Sequence, residues 1–525
     1  MNFLMRILKI NISHPLYQEG QGVCKQKNQF LESALKKNII WVICILSFCT
    51  AFFYNQLNLQ QLPKDKIREN QTVITNDDIS YIVPPKNYLA TGVWKDNSIG
   101  KQSYFVRPPG YGIFYMVFLK TLGYPLALKW LKIAQLLLFS SSVYWLFSIA
   151  FSIFQHKKLA LLVAALYGLT PFAIGFLFYT LTEGITPALL LLFVFLLFKA
   201  YEKTSTKQKN WYYFLAALTF SYLLLIRPPL GFMGILIPIF LVKDYWAASK
   251  IRTVIQLFLF GAVAFSFTVV WQVRNYKITN EFVGLHSIYY SEGNSIYRPT
   301  LKEYWNFVGG WAQEGQVAHS YLVPMWQAAI KGDTSIVYIN NAIETFPKEV
   351  VNYFGEQRLI AVFRKYQEAT LFQKPYYEKR LPMPTTTPAI EQEVIKEFKQ
   401  LTKEYKSEFW MYYHIIAPLK VFKTMTFHSN LSLYIFQQTY RGNVVMEAVR
   451  FTFFAIHSLC FIFLLFSLIF IKKTDWRQLA LTISVFIYIF YLCYFQRGIE
   501  ERYTLPVLPL LLVGLVNTIK KVKIK

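Results

Sequence analysis

Acidic residues are scarce in this chain: 29 Asp and Glu stand against 55 Lys and Arg, and charges of both signs make up only 16% of its 525 residues. Soluble domains carry about a quarter charged residues, so water is excluded as the solvent for most of this surface. The formal net charge of +26 does not indicate nucleic acid either, because the basic residues form short clusters between apolar stretches and gather on no single face. The five cysteines offer no disulfide framework or zinc spacing: Cys24 lies in the N-terminal tail, and Cys44, Cys49, Cys460 and Cys493 lie within apolar runs. There is no phosphate-binding Gly-rich loop, dinucleotide fingerprint or nucleophile elbow, and no internal repeat or low-complexity tract. The apolar stretch from Ile39 is followed by no small-residue cleavage pattern, so it reads as an uncleaved first span.

Apolar residues are abundant, at 54% hydrophobic and 18% aromatic. A span of hydrocarbon needs about 20 apolar residues, and the chain offers about ten such runs: Asn38–Tyr54, Leu126–Phe154, Leu159–Phe178, Ile185–Phe198, Trp211–Ile226, Leu230–Val242, Ile255–Trp271, Phe451–Ile471, Leu479–Phe495 and Tyr503–Ile519. The fold class expected is an all-α polytopic membrane protein. It is a bundle of about ten transmembrane helices with a long first external loop and a large, mostly helical external segment.

Every second connection is basic, as short cytoplasmic loops are. The tail ending in Lys36 and Lys37, His156-Lys157-Lys158, the Lys199 to Lys209 loop, the Lys243 to Arg252 loop, Lys472-Lys473 and the tail from Lys520 to Lys525 all fall on one side. Both termini are therefore expected in the cytoplasm. The domains expected are a basic tail (1–37), a transmembrane module (38–271) with the first external loop (55–125), an external or interfacial segment (272–450), and the C-terminal helices with their basic tail (451–525). Within the external segment, Thr387 can cap and Pro388 can open an amphipathic helix whose apolar face is Ile390, Val394, Phe398, Leu401 and Tyr405. Such a helix can pack on the spans or lie in the membrane interface.

The residues able to carry chemistry collect on the external side. The first loop contains Asp77-Asp78-Ile79-Ser80-Tyr81 and then Arg107-Pro108-Pro109-Gly110-Tyr111. Adjacent carboxylates that are partly buried raise each other's pKa, which suits a general base, although a solvated acidic turn has the same composition. Thr182-Glu183-Gly184 places a carboxylate at a membrane boundary, either in a cavity or as an interfacial residue favoured by a helix dipole. Arg227, Arg274 and Arg502, together with Arg107 and Arg497, stand where the positive-inside rule does not ask for them. Their planar guanidinium forks suit a phosphate, and snorkelling to lipid headgroups is the plainer reading of each one singly. The histidines His286, His319, His414 and His428 are external and show no paired spacing. Acids and arginines on one face of an apolar bundle together describe a site for a phosphate-bearing lipid and a nucleophile that must lose a proton.

At these residues the chain resembles the GT-C glycosyltransferases, in the branch containing protein O-mannosyltransferases and the bacterial aminoarabinose transferase of lipid A. The matching pieces are Asp77-Asp78-x-x-Tyr81, Arg107-Pro-Pro-Gly-Tyr111, Thr182-Glu183, Arg227-Pro228, Trp271-x-x-Arg274-Asn275-Tyr276 and Arg502-Tyr-Thr-Leu-Pro506. They occur in family order over nearly the whole chain. The resemblance implies a polyprenyl-phosphate sugar as donor and inverting transfer to an extracytoplasmic acceptor. Asp77 matches the base position, although the family commonly has Asp-Glu where this chain has Asp77-Asp78, so either aspartate is a candidate. Glu183 matches the second acidic position, and Arg274, with Arg227 or Arg502 and Arg107, would hold the departing phosphate. Tyr81, Tyr111, Asn275 and Tyr276 would line the donor and acceptor pocket. No metal ligand set is assigned, although Asp77, Asp78 and Glu183 supply the oxygens a divalent ion would use.

The partners expected are membrane lipids, the lipid-linked sugar and an unnamed acceptor, in a bacterial cytoplasmic membrane or its equivalent. The competing readings are a flippase for a polyprenyl-linked glycan and a glycan polymerase or ligase. A flippase would need charge within the spans, whereas here the acids stand at their external ends.

Overall fold

The computed structural model describes residues 21–75, 77–95, 107–279, 282, 284–285, 298–379, 387–427, 442–467, 475–497 and 501–522, with side chains of the first helix from residue 38 onward. His286, His428 and Lys472-Lys473 lie outside the described residues. The described chain is almost wholly helical. In hydrocarbon only a helix satisfies every backbone N–H and C=O within one segment, and the apolar runs take that form. The strands among the described residues are a two-stranded hairpin, β1 (Ile67–Arg68) against β2 (Thr72–Val73).

Seven described helices are long and apolar enough to cross a membrane: Asn38–Gln61, Leu126–Phe154, Pro228–Tyr245, Lys250–Lys277, Val444–Ser467, Trp476–Gln496 and Arg502–Lys520. The number becomes eight if the pair Lys157–Gly168 and Pro171–Phe178, bent by 46°, is one span. The bend falls at Thr170-Pro171, where a missing N–H and the restriction on the preceding residue both oppose a continuous helix. Two of the ten expected runs are helices of a different kind. Thr186–Glu202 is only 17 residues long, and Thr206–Ile226 opens on a polar turn and carries Tyr212, Tyr213 and Tyr222. Both are packed deep in the bundle, where Leu190, Leu197, Phe220 and Leu223 are buried. Pro228-Pro229 opens the next span as a 3-10 turn, Pro228–Ile235, before it widens into the α-helix Leu236–Tyr245.

The segment expected outside the membrane, here the external unit, builds a core of its own. Leu301, Tyr304, Phe307, Leu322, Phe363, Phe398, Leu401 and Tyr405 form a hydrophobic cluster separate from that of the spans. The amphipathic helix is present as Ala389–Glu408 and buries Val394, Phe398, Leu401 and Tyr405. Its start differs by one residue from expectation: Pro388, extended at ψ 149, is the capping position, and no side chain caps the helix. The helix faces this second core, not the bilayer. Arg298 and Glu391 pair inside the unit with almost no exposure, Nε to Oε1 at 2.9 Å and Nη2 to Oε2 at 2.8 Å.

Removing one partner of such a pair strands a buried charge, which costs about 3–5 kcal/mol. Glu391→Ala is therefore expected to lower the thermal unfolding temperature markedly in detergent, and Arg298→Met combined with Glu391→Leu to recover most of the loss. Equal stability of Glu391→Ala and wild type would show that the pair does not hold the unit.

Candidate active site

The first long loop, expected on the external side, is shaped by its hairpin. Glu69 and Asn70 both adopt positive φ, 49° and 55°, the left-handed backbone that a tight hairpin turn requires. Two side chains fix the turn from outside: the Tyr124 hydroxyl donates to Glu69 at 2.9 Å and the Lys132 ammonium donates to Gln71 at 2.8 Å. From inside, Val73 makes a parallel bridge to Tyr179. The hairpin thereby meets the segment that leads to Glu183.

Asp78 locks the same junction. Its Oδ2 accepts from Arg68 at 2.8 Å and from the Thr180 hydroxyl at 3.2 Å, and it is fully buried. Burial pushes its carboxyl above the ordinary aspartate pKa, while Arg68 and Thr180 oppose that rise. Asp78 is also the capping position of the helix Ile79–Thr91, which ends at Gly92 with φ 75°. The neighbouring Asp77 keeps a quarter of its side chain exposed.

Asp77 lies between two arginines. Arg107 donates to Oδ1 at 2.7 Å and Arg502 to Oδ2 at 3.2 Å. Arg502 also approaches Glu183, Nε to Oε1 at 3.9 Å. The same Oε1 accepts from Arg227 at 3.0 Å, and Oε2 accepts from the Thr182 hydroxyl at 3.1 Å. The charged groups thus run in one line, Arg107, Asp77, Arg502, Glu183, Arg227, from a half-open end to a buried one. Burial alone would raise the Glu183 carboxyl, but Arg227 and Arg502 outweigh it and hold its pKa below the usual range. The Tyr503 ring lies beneath both guanidiniums, 5.1 Å from Arg227 and 5.7 Å from Arg502.

Gly110 explains how the Arg107 loop comes so close to Arg227. A Cβ there would meet the Leu225 carbonyl oxygen at 2.7 Å, so only glycine lets the two backbones touch, and the Tyr222 hydroxyl then donates to the Gly110 carbonyl at 2.8 Å. Tyr81 and Tyr111 stand edge to face at 5.3 Å in the floor below. The Tyr111 hydroxyl donates to Gln135 at 2.8 Å, and Gln135 in turn donates to the Leu177 carbonyl.

The structure thus brings Asp77, Glu183, Arg107, Arg227 and Arg502 into one cluster over Tyr81 and Tyr111, and Asp78 adjoins it from behind. The other expected group makes contacts of its own. Arg274 donates to the Trp94 carbonyl and to Asn275, both at 2.9 Å, and lies 4.6 Å over the Trp271 ring. Tyr276 is turned toward Phe282, 4.9 Å away. Arg497 is a brace: it bonds the carbonyls of Gly309, Gly310 and Tyr413 in the external unit. His319 packs beside Trp305 and His414 bonds Tyr494. Among the described residues no three His, Cys, Asp or Glu side chains gather as a metal site. Sequence reasoning missed Arg68, Thr180, Gln135 and Tyr503. Of these, only Tyr503, within the Arg502 motif, carried a readable signal.

Because Glu183 has a depressed pKa in the folded state, its contribution to stability is complete above the unfolded value of about 4.3 and disappears as pH falls through the lower folded value. Wild type is expected to lose thermal stability as pH falls below the unfolded value, and Glu183→Gln to lack that acid limb while being less stable near neutrality. Parallel acid limbs in the two proteins would remove Glu183 from the account.

No family model and no curated protein matches this chain. Among solved structures it is similar to ArnT from Cupriavidus metallidurans bound to undecaprenyl phosphate. The identity there is 10%, the TM-score 0.33, and the match covers 91% of this chain and 76% of that one. The apo state of the same ArnT matches at 11% identity and a TM-score of 0.32, over 85% of this chain and 72% of that one.

Proposed function

We propose that this chain is an integral membrane glycosyltransferase that moves a sugar, with inversion, from a polyprenyl-phosphate donor to an extracytoplasmic acceptor. The observation that carries this reading is the line of alternating charge in which Asp77, a partly exposed carboxylate, sits between Arg107 and Arg502. Asp77 is the base. It takes the proton of the acceptor hydroxyl, the oxygen forms its bond to the anomeric carbon, and the bond from that carbon to the phosphate oxygen breaks. The electron pair leaves on the phosphate, where guanidinium groups stabilise the charge that grows in the transition state.

Arg107 and Arg502 have a double part in this reading. A phosphate arriving between them competes with Asp77 for the same N–H groups, so donor binding and release of the base become one event. Glu183, held ionised by Arg227, keeps Arg502 in place as its bond to Asp77 loosens. Asp78 carries no proton in the reaction; with Arg68 and Thr180 it fixes the peptide that presents Asp77. The carboxylates belong to loops at the external ends of the apolar helices, as a reaction at an external surface requires and as a headgroup path through the bilayer does not. The proposed location is the cytoplasmic membrane, with the site on its outer face.

The test follows label from polyprenyl-phosphate sugars in membranes holding wild type, Asp77→Asn or Asp78→Asn. Asp77→Asn is expected to insert normally and to lose about 10²–10⁴-fold in transfer, the usual contribution of a general base. Asp78→Asn should keep more activity than Asp77→Asn. Undiminished transfer by Asp77→Asn, or label that crosses the bilayer on its original carrier, would replace this reading with a flippase.

A further inference from the structure

The external unit carries an apolar stripe that its own core leaves uncovered. After the helix Ala389–Glu408 the chain continues through a π-helical turn, Tyr412–Ile416, into the helix Ala417–Phe427. One side of this segment is spoken for: Ala417, Pro418, Val421 and Met425 are buried. On the other side Trp410, Met411, Ile415 and Leu419 are 57%, 63%, 41% and 60% exposed. The last three recur every four residues and so share one face. Lys406, Lys420 and Lys423 stand exposed along the same stretch, with Glu408 as the acid among them.

This stripe does not end at the unit's edge. The Trp410 ring lies 5.4 Å from that of His414, and His414 bonds and stacks on Tyr494 of the span Trp476–Gln496. Tyr494 in turn touches Phe490 at 5.3 Å and Phe495 at 4.9 Å. Phe490 and Phe495 are themselves exposed, on the outside of a helix apolar enough to cross a membrane. An aromatic ladder therefore connects the stripe to a lipid-facing surface at the end of a span, the level at which aromatic belts form. Apolar residues on one side of a helix with lysines beside them are what an interfacial helix presents to anionic lipid.

We propose that the segment Trp410–Phe427 docks on the bilayer surface, with Trp410, Met411, Ile415 and Leu419 at the boundary of headgroups and acyl chains and Lys420 and Lys423 against anionic phospholipid headgroups. The external unit is then seated on the membrane and does not project from it. This assignment is independent of the transferase reading.

Spin labels placed singly at Met411, Ile415 and Leu419, in a protein whose native cysteines are replaced, test it by collision with oxygen and with a water-soluble nickel chelate. The protein is reconstituted in vesicles of phosphatidylethanolamine and phosphatidylglycerol. The expected ratio of oxygen to nickel accessibility at these positions is several-fold above that at Lys399, an exposed residue elsewhere on the unit, and close to that at Phe495. Lys420→Glu with Lys423→Glu should shift the labels toward water in these vesicles and not in purely zwitterionic ones. Nickel-rich values like those at Lys399, or low collision with both reagents as on a face covered by protein, would overturn the proposal.

Discussion

The arrangement depends on one constraint: carboxylates and guanidiniums at the edge of hydrocarbon must meet or be expelled. An unpaired charge there is costly, and pairing repays the cost only when the geometry is tight. Arg107, Asp77, Arg502, Glu183 and Arg227 come from four separate connections, and each opposes its neighbours with opposite sign. These pairs hold the loops to one another. The line carries one more positive than negative charge, which suits the phosphate of the proposed donor.

Burial grades the line into working and supporting ends. Arg227 and Glu183 are nearly sealed, whereas Arg107 and Asp77 are partly open. The sealed end acts as a fixed electrostatic frame. The open end is where N–H groups can change partners at small cost in desolvation. In the proposed reaction a base needs the second condition and a positioning charge the first, and the gradient agrees with that division.

Much of this was legible in the sequence, for physical reasons. Long apolar runs have one stable form in lipid, so the helices follow from composition. Charged residues between such runs are forced to their ends, so Asp77, Glu183, Arg227 and Arg502 share a level whatever the packing. Arg274 obeys the same rule, but its bonds to the Trp94 carbonyl and Asn275 were not readable, because the level of a residue says nothing of the direction it faces. Arg68 and Thr180 were hidden because the hairpin that joins them turns on Glu69-Asn70, and glutamate gives no signal for left-handed backbone. The apolar face of Ala389–Glu408 was readable, but its partner was not: periodicity marks a face as buried without saying in what. The ten runs likewise include two short or diluted helices, because a run buried among other helices tolerates tyrosine and brevity that lipid contact would not.

The brace at Arg497 gives the external unit a mechanical role. Its guanidinium grips main-chain carbonyls of Gly309, Gly310 and Tyr413 and lies 4.0 Å over the Tyr413 ring. The contact therefore ties Arg497 to the backbone of the unit and not to one of its side chains. Five positions later the same chain supplies Arg502, which spans the gap between Asp77 and Glu183. The same short part of the sequence thus ties down the backbone of the unit and supplies the guanidinium between the two carboxylates, so one stretch of chain serves both.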